Sequence, residues 1–334
     1  MLLLLLACAA TDAVDSGPAT RADDAKAAGF VDTLAPDAVH LLINSTPGTG
    51  AAGHAIEETA VDFAARWVLD QSDGSGSSGT LRLPDGTTVY AHSWPPPDYG
   101  SALDAVDPEG NLLWQERDFF RNARAFVHGV VMTPDGDYIL ADTIESRIVA
   151  IDPTGTVLWE QSWREDVGVH WPNGITLRTD DEGTTRLAVT LLYSGGDDTN
   201  DRVELWRLTS RLTPPTREWS WPPVGTDTHA TWTHGPHIIE DGTVTAALSA
   251  TGSIIGLRDG ERSWQIPPGP SPLAFPRDAT FLPDGTLLIA DAASEVLRVA
   301  DPFGAFTVVD SHTANGVYSI DLLDCATSLC FGVP

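Results

Sequence analysis

The chain repeats a short phrase, and that repeat restricts the folds open to it more than any other feature. Thr133-Pro134-Asp135-Gly136 leads into Tyr138-Ile139-Leu140-Ala141-Asp142, and Leu282-Pro283-Asp284-Gly285 into Leu287-Leu288-Ile289-Ala290-Asp291. Leu83-Pro84-Asp85-Gly86 leads into Thr88-Val89-Tyr90-Ala91-His92, and Ile239-Glu240-Asp241-Gly242 opens a fourth copy. Each reads as strand, tight turn, strand: proline fixes φ, Asp-Gly supplies the turn, and β-rich residues follow. A second phrase marks further turns at Asp107-Pro108-Glu109-Gly110, Asp152-Pro153-Thr154-Gly155 and Asp301-Pro302-Phe303-Gly304. A four-stranded unit recurring at roughly 40–50 residues predicts an all-β fold, the β-propeller. Pro84 to Pro134 and His92 to Asp142 are both 50 positions, while Pro134 to Pro283 and Asp142 to Asp291 are both 149. Spacing that is constant inside a unit and drifts between units is what variable loops on a fixed strand frame produce.

Six units can be drawn. Five are internal, at about 78–117, 128–164, 172–221, 232–266 and 275–310, the third carrying the insertion 194–201. The sixth is split. Asn315-Gly316-Val317-Tyr318-Ser319-Ile320 reads as an inner strand close to the C-terminus, and its missing partners are expected at Val39–Ile43 and Val61–Leu69. Pairing the two ends closes the ring and removes open sheet edges. A six-bladed propeller closed by N- and C-terminal strands is therefore the expected fold, occupying 37–334 as one domain.

The 334 residues carry a formal charge of -28, with Lys26 the only lysine. Bulk charge of that sign argues against nucleic acid and anionic membrane surfaces as partners. The N-terminus is Met1, five leucines, Ala7 and Cys8. Leu5-Leu6-Ala7-Cys8 resembles the lipobox of bacterial lipoproteins, so residues 1–8 are expected to be a lipoprotein-type signal with Cys8 as the lipidation site. Residues 9–36, rich in Ala, Asp and Thr, then form a flexible tether. The expected location is the bacterial cell envelope, with membrane contact through the lipid anchor alone. Cys325 and Cys330 remain, either as a disulfide of an exported protein or as two buried thiols.

Several motifs fail on inspection. Gly74-Ser75-Gly76-Ser77-Ser78-Gly79 fits GxGxxG, but a strand and turn follow instead of a helix; it is expected to be a linker into the first blade. Asp197-x-Thr199-x-Asp201 is similar to a calcium loop but lacks the turn glycine and the distal glutamate. It reads as a solvated loop, with weak Ca²⁺ binding as the alternative; no cofactor is expected, a structural or catalytic Ca²⁺ being the one group left open. The Glu57-Glu58 pair and the Asp180-Asp181-Glu182 run read as solvated turns.

Aligning the turn phrases brings out a polar column. His128, His234 and Arg277 each lie six residues before their turn. Asn173-Gly174-Ile175 and Asn315-Gly316-Val317 match His128-Gly129-Val130 by residue type, and Ser78 is the counterpart in the first unit. In a propeller such positions converge on one mouth of the central channel. His170, His237 and Asp278 are neighbours that can join them. Arg and His gathered locally in so acidic a chain suit a small anionic or aryl ligand. A second set, His92, Asp142 and Asp291, falls eight residues after the turn proline, and its Asp residues are expected to hold loops through backbone hydrogen bonds.

Phe126-Val127-His128, Pro134-Asp135-Gly136, Arg147-Ile148-Val149-Ala150-Ile151-Asp152-Pro153 and Val157-Leu158-Trp159-Glu160 together resemble a blade of the arylsulfotransferase-like propellers, and Pro276–Gly304 resembles an NHL repeat. The first resemblance implies sulfuryl transfer through a channel histidine, His128 or His234 as nucleophile, with Asn173 and Arg277 holding the sulfuryl oxygens. The second implies a non-catalytic sensing or protein-interaction propeller whose blade loops meet a partner. A metal-dependent, lactonase-type hydrolase is a third alternative.

Overall fold

A computed structural model describes residues 38–45, 54–70, 76–94, 100–117, 126–163, 170–193, 201–223, 230–267, 272–291, 295–313 and 317–324. Cys8, Asn315, Cys325 and Cys330, most of the 197–201 loop and the segment 1–37 lie outside them. Three strands open the chain: β1 (Val39–Ser45), β2 (His54–Ala60) and β3 (Ala65–Asp70). Blade 1 is β4 (Gly76–Arg82), β5 (Thr88–Trp94), β6 (Gly100–Val106) and β7 (Leu112–Glu116). Blade 2 is β8 (Val127–Met132), β9 (Tyr138–Asp142), β10 (Arg147–Ile151) and β11 (Val157–Ser162). Blade 3 is β12 (His170–Thr179), β13 (Thr185–Tyr193), β14 (Arg202–Leu208) and β15 (Thr216–Trp221). Blade 4 is β16 (Thr233–Ile238), β17 (Val244–Leu248), β18 (Ser253–Arg258) and β19 (Glu261–Ile266). Blade 5 is β20 (Pro276–Phe281), β21 (Leu287–Asp291), β22 (Glu295–Ala300) and β23 (Thr307–Thr313), and the last strand is β24 (Val317–Asp324).

All six sheets are antiparallel and four-stranded, and the sixth runs β24-β1-β2-β3. The ring closes as expected, with one correction: the N-terminus contributes three strands, the additional one being His54–Ala60. Glu57 and Glu58 therefore lie in a strand and not in a turn. Glu58 is fully buried, accepting hydrogen bonds from His40 Nδ1 (2.7 Å) and Arg82 (2.8 Å). Gly76–Gly79, read as a linker, forms the first half of β4, the inner strand of blade 1.

The repeated phrase makes the same turn each time. In blade 2 Gly136 sits at φ 84° and donates to Thr133 O (2.9 Å), while Thr133 N–H returns to Asp137 O (2.8 Å). The φ explains the glycine. In blades 1, 4 and 5 the aspartate accepts from the backbone two residues on, Asp85 from Thr87, Asp241 from Thr243 and Asp284 from Thr286, each at 2.9 Å; in blade 2 Thr133 Oγ1 accepts from Asp137 N–H (3.2 Å). Asp180 closes the corresponding turn of blade 3 by accepting Gly183 N–H.

The strands after these turns are buried on both faces, which is why β9, β17 and β21 are mostly apolar and do not alternate with polar residues. Apolar clusters fill the gap between every pair of neighbouring blades. Val89, Leu103, Leu140 and Val149 join blades 1 and 2; Ile139, Ile148, Leu187 and Val189 join 2 and 3. Leu41, Ile43, Leu288 and Ile320 seal blade 5 to the split blade, and Leu42, Ile56, Tyr90 and Leu323 seal the split blade to blade 1. Burial at about 25 cal/mol per Å² makes these six layers the main stabilising term.

Candidate functional site

Each inner strand carries a β-bulge near its start, and the bulges build the site. Pairing skips from Val127 to Val130 in blade 2, from Pro172 to Gly174 in blade 3 and from Pro276 to Asp278 in blade 5. It skips from Ser77 to Thr80 in blade 1 and from His234 to His237 in blade 4. In the split blade Asn44 pairs with Ser319 and Ser45 with Val317, so Tyr318 is the residue left out. A bulge re-aims the side chains it releases. Ser78, His128, Asn173, Arg277 and Tyr318 are bulge residues, and His234 flanks the bulge of its blade. There the extra residues are Gly235 and Pro236. Gly235 has φ 41°, and a Cβ on it would lie 2.4 Å from Asp278 Oδ1, so only glycine lets blades 4 and 5 approach.

Tyr318 is the centre of the group and was missed in the sequence. The His128 ring stacks on it at 5.0 Å between centroids, the His234 ring meets it edge-on at 6.5 Å, and Arg277 Cζ stands 5.0 Å from its centroid. Its hydroxyl donates to Asn173 Oδ1 (2.8 Å). Four of the expected residues, from four blades, are thus brought to one aromatic ring. Phe275 packs against Arg277 (5.7 Å) and against Trp232, and Phe126 packs edge-on to His128 (4.4 Å). The rim is therefore aromatic. Tyr318 escaped detection because its strand ends the ring and has no turn phrase after it from which to count back.

His128 and His234 are held in the same way. Thr143 Oγ1 lies 2.6 Å from Pro172 O, a distance that requires the hydroxyl proton between them, and the same oxygen bonds His128 Nδ1. Ser249 Oγ lies 2.5 Å from Pro276 O and 2.7 Å from His234 Nδ1. With the hydroxyl proton committed to the carbonyl, Nδ1 must be the donor. His234 Nδ1 also reaches Trp232 O (3.0 Å), which can only accept. Both rings therefore carry Nδ1–H and leave Nε2 with a lone pair. In this state each imidazole accepts at Nε2 and does not donate there.

Electrostatics support the neutral form. Burial, then His234 and Arg277, hold His128 well below the usual imidazole range. Burial, then Arg277, push His234 down to about 3. Burial raises the Tyr318 phenol, which stays protonated, and lowers Arg277 from an ordinary guanidinium without neutralising it. Arg277 is half-buried. Among the described residues no carboxylate pairs with it, and its Nε has no hydrogen-bond partner. The buried Ser78 hydroxyl likewise has none among them.

His237 and Asp278 belong to a second network in the same channel. His237 Nε2 bonds Asp278 Oδ1 (2.6 Å), and Asp278 Oδ2 accepts Ile320 N–H (2.7 Å). Asn44 Nδ2 donates to Ser319 Oγ (2.9 Å) and Asp321 Oδ2 (3.4 Å). Burial and then Asp278 push Asp321 up to about 7, against the pull of His237 and Asn44. Burial lowers His237, and Asp278 overrides it, so the net shift is upward. His170 is buried and packs on Tyr193 of its own blade (5.3 Å). Asp291 accepts Ala274 and Phe275 N–H (2.8 and 2.7 Å), and Asp142 holds Arg147 (3.0 Å) and Glu145 N–H, so both fix loops. Asp201 caps Tyr193 N–H and Trp232 N–H. No cluster of three or more potential metal ligands occurs among the described residues.

Fold and site define a six-bladed β-propeller with a polar, aromatic-rimmed channel mouth. Residues 100–267 match the sequence profile of the family described as outer membrane protein assembly factor BamB, and the chain belongs to that family. No curated relative matches the chain. Among solved structures it is similar to a protein of unknown function from Bacteroides caccae, at 14% identity and TM-score 0.59, covering 86% of this chain and 99% of that one. It is also similar to a candidate 6-phosphogluconolactonase from Bacteroides fragilis, at 12% identity and TM-score 0.55, covering 88% and 100%. At these identities the likeness is one of fold. The family match carries the propeller class of the resemblance drawn from the blade phrases and carries no sulfuryl-transfer chemistry.

Proposed function

We propose that this is a cell-envelope propeller whose channel mouth binds a small aryl acid. The observation that carries the reading is Arg277: a half-buried guanidinium, unpaired among the described residues, braced on Tyr318 and Phe275 and facing two neutral imidazoles. In a chain of charge -28 an anion is repelled unless positive charge is left available locally. The aromatic rim suits a flat ring. A charge-assisted hydrogen bond contributes about 1.5–3 kcal/mol, so Arg277→Ala is expected to weaken benzoate or phenyl sulfate roughly tenfold or more in a calorimetric titration. Equal affinity of the two proteins overturns the reading. The family's description supports envelope placement and a role for the blade loops in meeting a protein partner, and the lipobox at Cys8 supports a lipid anchor.

Sulfuryl transfer is a second reading, favoured by the free lone pairs at Nε2. In it, Nε2 of His128, the more exposed of the two rings, attacks the sulfur of an aryl sulfate. The sulfur–aryl oxygen bond breaks and a phenolate leaves; an acceptor phenol then takes the sulfuryl group from the ring and gives up its proton. Nitrophenolate release from nitrophenyl sulfate, with one sulfuryl group gained by His128 and both lost in His128→Ala, is the expected result. No release by the wild type excludes transfer without touching the binding reading.

A further inference from the structure

The two histidine blades share a device that determines what kind of acid the mouth accepts. In blade 2 the chain of bonds runs from His128 Nδ1 to the Thr143 hydroxyl to Pro172 O; in blade 4 it runs from His234 Nδ1 to the Ser249 hydroxyl to Pro276 O. Each histidine lies 15 residues before its hydroxyl. Each carbonyl belongs to the next blade, immediately before that blade's own site residue, Asn173 or Arg277. The device is thus written twice at equivalent positions and ties each histidine to its neighbour's bulge.

Its consequence is a polarity. Arg277 offers only donors. His128 and His234 offer only acceptors at Nε2. The Tyr318 hydroxyl and Asn173 Oδ1 satisfy each other. A bare oxyanion such as sulfate or benzoate can engage the arginine but has no proton for either imidazole, whose lone pairs it would repel. A ligand that brings both an acidic group and a hydroxyl or N–H satisfies the arginine and one of the two imidazoles.

We infer that the mouth selects small aromatic acids bearing their own hydrogen-bond donor, hydroxybenzoates being the simplest class, and that Thr143 and Ser249 are the positioning residues that set this preference. The inference rests on the aryl-acid reading of the site. The depressed basicity of both rings agrees with it, since protonation would turn Nε2 into a donor.

The test has two arms. Nitrogen NMR of the imidazoles in the wild type near neutral pH is expected to show Nδ1 protonated and Nε2 bare for both His128 and His234; an Nε2–H tautomer on both overturns the inference without any ligand. Calorimetry then compares benzoate with 3-hydroxybenzoate and 4-hydroxybenzoate. At least one hydroxy acid is expected to bind roughly tenfold tighter than benzoate, the order of one well-placed hydrogen bond. Thr143→Val is expected to bring the acids toward parity and to release the His128 tautomer, while Thr143→Ser retains the preference. Parity of the three acids on the wild type overturns the inference but leaves the aryl-acid reading standing, and binding of none of them overturns both.

Discussion

The blade frame and the channel mouth handle charge in opposite ways. In the frame, arginines are matched. Arg147 bridges Asp142 (3.0 Å) and Glu160 (2.8 Å), Arg186 bridges Asp180 (2.7 Å) and Glu218 (2.9 Å), and Arg298 meets Asp284 (2.6 Å). The buried Glu204 collects the indole N–H groups of Trp163 and Trp206 and a guanidinium N–H of Arg217. At the mouth, Arg277 has rings for neighbours and no carboxylate among the described residues, and two imidazoles are held with unused lone pairs. Groups satisfied within the chain hold blades together; groups left unsatisfied at a solvent-reachable point are available to a ligand. The same strand scaffold does both because a bulge near the start of each inner strand takes one or two residues out of the ladder and re-aims the side chains there.

The largest expected effect tests the frame. Removing residues 315–334 takes away β24, which pairs with β1 and seals blade 5 to blade 1. Cooperative thermal unfolding is expected to be lost; a sharp transition like that of the full chain contradicts the closure. Next in size is Glu204→Ala, which strands the Trp163 and Trp206 indole N–H groups and takes the carboxylate away from Arg202 and Arg217. Loss of about 3–5 kcal/mol in denaturant unfolding is expected, and a cost under about 1 kcal/mol counts against the matched-charge account.

Asp321 tests the boundary between frame and channel. Its folded pKa is raised from the usual carboxylate range to about 7, so the fold favours the protonated form. The stability this gives is complete below the unfolded pKa of about 4 and is lost as pH rises through about 7. Asp321→Asn, which cannot ionise, is expected to overtake the wild type above neutral pH by on the order of 2 kcal/mol once solvent screening is allowed for, with the gap closing under acid conditions. Parallel stability curves for the two proteins across that range rule this out. His234, held at about 3, slopes the other way: its contribution is present above the usual imidazole pKa and falls away as pH drops toward 3.

The parts legible in the sequence are those written locally and repeated. The turn phrases give the blades, the count of units gives the ring, and counting back from each turn finds His128, His234 and Arg277. What was not legible depends on partners far away in the chain. The strand at His54–Ala60 looks like a solvated acidic stretch because the groups that bury Glu58, His40 and Arg82, sit on other strands. Tyr318 occupies the register for which the Asn315 match was expected to stand, and only its pairing with β1 reveals this. The bare Nε2 of each histidine depends on a hydroxyl 15 residues away and a carbonyl in the next blade, a relation no local pattern encodes.

The smallest expected change in stability is also the most telling. Melting temperatures of the wild type and Arg277→Ala, each with and without saturating 4-hydroxybenzoate, separate frame from mouth in one measurement. The ligand-free proteins are expected to melt within a degree or two of each other, about 0.5 kcal/mol, because Arg277 completes no ion pair among the described residues. Ligand is expected to raise the wild-type transition by mass action and to raise that of Arg277→Ala by clearly less, in keeping with its weaker binding. A variant that melts as early as Glu204→Ala, yet still gains the full ligand shift, would show that Arg277 belongs to the frame and that the mouth is not an anion site.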